Sequence, residues 1–219
     1  MQRLVALTLV AVALLASSCA GDDADDAALI AAAVHIEAMG CHRRPTVGAG
    51  SFMAKDRVLT VAHVVAGSTD VQVVLSDGSR RSATVMAMDR KKDLAVLRVD
   101  ADVEPLIPGR ARAGDRGEFV VRRDDRSVEQ EFSIVTFVDI NAMDIDHTGP
   151  SLRKGFQITA SVDHGDSGSV LVTADRAVGV VFARSTGAEG RAWATDIREA
   201  APLLSVPDGT VTDVGECAG

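Results

Sequence analysis

Ser167 stands in the stretch HGDSGS, residues 164–169. A serine hydroxyl becomes a nucleophile only with a base within hydrogen-bond reach, because free alkoxide does not form at neutral pH. The base in turn needs a third group to fix its tautomer and stabilise its charge. Four residues alone do not decide the matter, since Gly-Asp-Ser-Gly is also a tight turn between strands. The chain offers five histidines as bases. His35 alternates with core positions in a strand-like run and is expected to face solvent. His42 neighbours Cys41 and two arginines, which disfavours a protonated imidazole, and His147 sits in the polar loop DIDHTGP. His164 is too near Ser167 in a tight turn to lay its ring on the hydroxyl, and reads as a rim residue. His63 is different, following the apolar strand RVLTVA and opening the turn HVVAG.

The elements that must position these groups are short apolar runs broken by Gly, Asp and Ser. Strand patterns fall at 34–38, 47–54, 57–60, 71–75, 81–88 and 94–99, then at 117–121, 129–140, 155–162, 169–173, 176–184 and 191–195. Residues 102–115 carry two prolines and two glycines without periodicity and read as a linker. The pattern predicts an all-β protein of two lobes, about 34–105 and 115–195, within a folded region spanning 34–204. DIREAAPLL, residues 196–204, is the one helix, with Asp196 as N-cap and Ile197, Ala200, Ala201 and Leu204 on one face.

The 219 residues carry a net charge of −8, which argues against nucleic acid as a partner, because phosphate binding needs clustered Lys and Arg. The short clusters Arg43–Arg44 and Arg90–Lys91–Lys92 read as solvated turns. With 3% aromatic residues, aliphatic side chains and alanine must fill the core. No cluster has metal-ligand spacing and no phosphate loop or dinucleotide fingerprint occurs, so no cofactor is expected. A monomer is expected.

Residues 1–19, with Arg3 before an apolar run from Leu4 to Ala16, read as an export signal, the run being short of the about 20 apolar residues of a membrane span. Residues 20–33 are acidic and alanine-rich and read as a flexible tether with a short helix toward its end. Export places the three cysteines in an oxidising compartment. Cys41 and Cys217 bracket the folded region and are expected to bridge. Cys19 ends LLASSC, which resembles the lipobox of bacterial lipoproteins, with Ala16 where that motif prefers leucine. Lipidation of Cys19 at the cell envelope and signal cleavage after Ala20 stand as alternatives. The tail 205–219 returns Cys217 to the body and leaves no room after the closing helix for a peptide-binding module, so a lone catalytic domain is expected.

GSFMAKDRVLTVAHVV, residues 50–65, resembles the strand-turn-strand-histidine segment of the trypsin-like serine proteases. KKDLAVLRV, 91–99, resembles their aspartate segment, HGDSGS their nucleophile loop, and AVGVVFA, 177–183, the strand lining their primary specificity pocket. The order and spacing suit short bacterial members, including the Deg-type periplasmic proteases. The resemblance implies two six-stranded antiparallel β-barrels of chymotrypsin-like fold with a short C-terminal helix, and an endopeptidase acting through an acyl-enzyme. It assigns Ser167 as nucleophile, His63 as base and Asp93 as its orienting acid, with the N–H groups of Gly165 and Ser167 as the oxyanion hole. It places the substrate pocket at Ser161, His164, Phe182, Ala183 and Arg184. Ser161 at the pocket base argues against a Lys or Arg preference, Arg184 is expected to narrow the pocket, pair with an acid or face solvent, and Trp193 reads as core. An α/β-hydrolase esterase is excluded, because Ser169 stands where its second glycine belongs and the order is His, Asp, Ser.

Two departures set further expectations. No activation sequence precedes VGAGSF, so Asp166, the residue before the nucleophile, needs a partner other than a freed N-terminus, an arginine or backbone donors, and no proteolytic activation is expected. Phe182 and Arg184 replace small residues, which keeps alive an alternative in which the fold is an inactive homologue serving as a peptide- or protein-binding module.

Overall fold

Alternating burial along β1 (Ala33–Met39) puts Val34, Ile36 and Ala38 into a core that six strands enclose. The others are β2 (Thr46–Ala54), β3 (Arg57–Thr60), β4 (Asp70–Val74), β5 (Arg80–Asp89) and β6 (Leu94–Val99). They form a closed antiparallel barrel in the order β1-β2-β3-β6-β5-β4, with β4 pairing back onto β1. The apolar start of β6, Leu94 to Leu97, is wholly buried. A single helical turn, α2 (Ala62–Val65), follows β3 and buries Ala62, Val64 and Val65 while leaving His63 half-exposed. The computed structural model describes residues 22–123 and 125–217, so the expected leader and Cys19 lie outside the described residues.

A two-residue strand, β7 (Ile107–Pro108), lies inside the expected linker, and beyond it come β8 (Arg116–Arg123), β9 (Arg126–Met143), β10 (Pro150–Thr159), β11 (Val170–Thr173), β12 (Arg176–Arg184) and β13 (Arg191–Asp196). Six of them close a second ring, β11-β8-β9-β10-β13-β12, and β7 adds outside it, parallel to β12. Phe119, Phe132, Ile134, Phe156, Ile158 and Leu171 fill this ring. The two expected barrels are therefore present, with β9 longer than the run at 129–140 suggested.

The closing helix begins as a 3₁₀ turn, Ile197–Ala200, before α3 (Ala201–Leu204). Pro202 has no N–H for the carbonyl of Arg198, and the Ala201 N–H takes that carbonyl instead, which tightens the turn. Asp196 caps it as expected, accepting from the Arg198 N–H at 3.0 Å. Ile197, Ala200 and Leu203 pack into the cluster that contains the first barrel's core.

Three expectations are corrected. Residues 22–32 form a helix, α1 (Asp22–Ala32), rather than a loose tether, and Leu29 buries against Val120 of the second ring. His35 is half-buried, because β1 faces the end of β8 across the lobe boundary. Arg90 and Lys92 lie in a turn as expected, but are only partly exposed and are paired rather than free in solvent. Arg90 grips the Asp146 carboxylate and donates to the carbonyls of Val214 (2.9 Å) and Glu216 (3.0 Å), and Lys92 pairs with Glu199 at 2.6 Å. Cys41 and Cys217 are disulfide-bonded, which pins the tail beside the loop after α2, where the Gly67 N–H donates to Val214 at 3.1 Å.

Candidate active site

His63 and Asp93 are joined twice. The His63 backbone N–H donates to Asp93 Oδ1 at 2.9 Å, and His63 Nδ1 lies 2.8 Å from Asp93 Oδ2. An ionised carboxylate only accepts, so Nδ1 carries the ring proton and Nε2 presents its lone pair outward. Asp93 is buried, in the turn between β5 and β6, with φ at +55°. That left-handed backbone is uncommon outside glycine, and Asp is one of the few residues that tolerate it. It turns the carboxylate toward α2.

Ser167 comes from the second barrel, in the loop between β10 and β11, and its carbonyl accepts from the Ala49 N–H of β2 at 2.8 Å. Glycines make this approach possible. A Cβ at Gly48 would lie 2.6 Å from Val64 and 3.0 Å from the Ser167 carbonyl oxygen, so its absence lets α2 and the serine loop share one spot. Gly168 has φ +97°, and a Cβ there would sit 2.0 Å from the Ala49 carbonyl oxygen. Gly165, with φ +95°, turns the chain ahead of Ser167, and among the described residues neither its N–H nor that of Ser167 meets a protein acceptor. The Ser167 hydroxyl makes no hydrogen bond to His63 among the described residues; in a ligand-free site such bonds are often long and tighten on binding.

Asp166 is only 1% exposed and is held by Arg123 of β8 in a fork, Nη1 to Oδ1 at 2.6 Å and Nη2 to Oδ2 at 2.7 Å. The Asp163 N–H donates to the same carboxylate at 2.8 Å. The bond to Asp166 raises the already high pKa of Arg123 against the opposing effect of burial. An arginine and a backbone N–H are therefore the partners of Asp166. Asp163 also lies 3.5 Å from Arg123 and 3.8 Å from Arg184, so four charges alternate from the nucleophile loop to the end of β12.

Of the pocket positions, Ser161 and His164 are exposed on the loop before Ser167. Ala183 and Arg184 pair with Trp193 and Ala192 of β13, and Arg184 is largely exposed despite its pairing with Asp163. Trp193 is half-buried. Phe182 is the extra residue of a bulge between Val181 and Ala183, which turns its ring over the Arg153 guanidinium, 4.0 Å away. Residue types alone did not say which arginine would meet Asp166 or Phe182, because each pair joins segments distant in sequence.

A family model described as a trypsin-like peptidase domain matches residues 48–180, more than half of the chain. The chain belongs to this family. The trypsin-like domain is 31% identical over 163 residues to a putative serine protease HhoB of Synechocystis, covering 72% of this chain and 39% of that one. It is 30% identical over 162 residues to a probable periplasmic serine endoprotease, DegP-like, of Halomonas elongata, covering 70% and 33%. The chain thus spans about a third of the length of these curated relatives. Among solved structures, the active form of the Rv3671c protease from M. tuberculosis superposes with a TM-score of 0.83 at 26% identity, covering both chains fully. Its inactive form gives 0.73 at 27% identity, covering 84% of this chain and 92% of that one.

Proposed function

We propose that this trypsin-like domain is an exported serine endopeptidase. Ser167 Oγ attacks the scissile carbonyl while His63 Nε2 takes its proton and returns it to the leaving amine. Asp93 holds the imidazole tautomer, and water then hydrolyses the acyl-enzyme. The free N–H groups of Gly165 and Ser167 receive the developing oxyanion, a role in which loss of one donor costs on the order of 10²–10³ in rate. The observation that carries this reading is the doubly bonded His63–Asp93 pair, brought beside the Ser167 loop by the glycines at 48 and 168. Fluorophosphonate labelling followed by peptide mapping tests it. An adduct on Ser167 that disappears in His63→Ala is expected, and Ser167→Ala should abolish cleavage of casein while unfolding at the same midpoint. Wild-type protein that is folded yet takes no label sinks the reading.

Export is supported by the Cys41–Cys217 bridge and by the word periplasmic in the names of DegP-like relatives. Lipidation of Cys19 is part of the proposal, and a mature N-terminus at Gly21 without lipid would remove it. The forked Arg123–Asp166 pair supports activity without a proteolytic cut, and protein that gains activity only after cleavage near residue 34 would contradict that.

The unbonded Ser167 hydroxyl favours a second reading, a binding module that keeps the pocket without turnover. The same labelling separates the two, since only an activated serine takes the phosphonate.

A further inference from the structure

Arg153 of β10 is 5% exposed, and its guanidinium is poorly compensated for so deep a site. Nη1 donates to the Lys92 carbonyl, the Phe182 ring covers one face at 4.0 Å, and Nε is buried without a partner. Burying a charge with a donor left over costs stability, and an apolar side chain of similar volume commonly packs such a place better. What the charge faces is therefore informative. Burial lowers the Arg153 pKa, and the charges that pull it back up are Asp93 first and then Asp89.

The peptide that Arg153 grips is the one leading into Asp93. Three bonds from three directions fix Lys92: its N–H donates to Asp89 Oδ1 at 2.9 Å, its Nζ pairs with Glu199 at 2.6 Å, and its carbonyl takes Arg153. Asp93 follows in the left-handed conformation, and the direction of its side chain is set by that peptide plane. Its carboxylate accepts from two donors, both on His63. Phe182 lies on β12 at the bulge, so the guanidinium also ties the pocket strand to the turn that holds Asp93.

We infer that Arg153 is a positioning residue that acts through Asp93, fixing the Lys92–Asp93 peptide and with it the carboxylate that orients His63. The inference rests on the proposed His63–Asp93–Ser167 triad.

The test compares wild type with Arg153→Met and Arg153→Lys in the full chain on a peptide substrate. Loss of the orienting aspartate of a triad costs about 10⁴ in kcat, and a residue acting through it should cost a fraction of that. Arg153→Met is expected to lower kcat about ten- to hundredfold with KM within about twofold, and to displace the low-field NMR resonance of the His63 Nδ1 proton. Arg153→Lys should recover kcat only in part, since an ammonium cannot lie flat on Phe182 while gripping the carbonyl. A folded, disulfide-intact Arg153→Met protein with wild-type kcat and resonance overturns the inference. Should the Met variant not fold, a Lys variant with wild-type kcat overturns it equally. Failure of the triad reading looks different: the wild-type protein itself then takes no phosphonate on Ser167, and both ideas fall together.

Discussion

At the scale of single residues, Asp166 poses the sharpest energetic problem. A carboxylate 1% exposed is tolerable only when paired and hydrogen-bonded, and Arg123 and the Asp163 N–H meet that need. Removing one partner of a buried pair typically costs about 3–5 kcal/mol, much of it from the charge left behind. Arg123 is about a third exposed, so water can reach part of the site and the low end of that range applies. Arg123→Met should therefore destabilise the fold by about 3 kcal/mol in denaturant titrations and slow phosphonate labelling of Ser167, because Asp166 adjoins the nucleophile. Adding Asp166→Asn should restore part of the stability by removing the orphaned charge. A double variant less stable than the Arg123→Met single would show that the pair is not the coupling unit. Arg123→Lys should fall between, keeping charge without the fork.

At the scale of elements, the C-terminal tail is a brace. The Cys41–Cys217 bridge, the Gly67-to-Val214 bond and the Arg90 bonds to Val214 and Glu216 join the tail to the loop after α2 and the turn before Asp93. Closing a loop with a sequence separation of 176 removes about 5 kcal/mol of unfolded-state entropy in the chain-entropy model, an upper figure when the reduced chain keeps structure. Reduction with dithiothreitol should lower the unfolding midpoint, and Cys41→Ser with Cys217→Ser should reproduce the reduced protein; a midpoint unmoved by either would show that the tail contributes nothing. Strands, lobes and the disulfide were legible in the sequence because period-two burial and cysteine count are local signals. The Arg90–Asp146, Arg123–Asp166 and Arg153–Phe182 partnerships were not, since each joins residues on different strands or turns and depends on register. The docked part of α1 was read as tether for the opposite reason: its alanine and aspartate content carries little amphipathic signal, and Leu29 buries, with Ile30 partly covered, only because Val120 and Val172 of the second barrel and Leu106 of the linker pack against them.

At the scale of the whole molecule, the two barrels share a core as well as a cleft. Val170, Ala177 and Val180 of the second ring and Ile197 of the closing turn belong to the same buried cluster as Phe52, Leu59 and Leu97 of the first barrel. Displacing one lobe therefore disturbs both packing and the His63–Ser167 approach. His35 lies near this boundary, half-buried on β1, paired loosely with Glu37 at 4.0 Å and under the influence of Arg122, Arg80 and Asp125. Burial lowers its pKa from 6.5, and Glu37 opposes this only in part. The folded state thus keeps His35 neutral where the unfolded chain takes up a proton, so stability falls as pH drops from about 6.5 toward the folded value and then levels off for this residue. Asp146 acts in a lower window. Its pKa is depressed chiefly by the bond from Arg90, so its contribution holds above the ordinary carboxylate range and is lost as pH falls through the depressed value. Unfolding midpoints measured in urea from neutral to acidic pH should decline in these two steps. His35→Gln should flatten the first step and leave the second, whereas a variant that retains the first slope would place that proton uptake on another group.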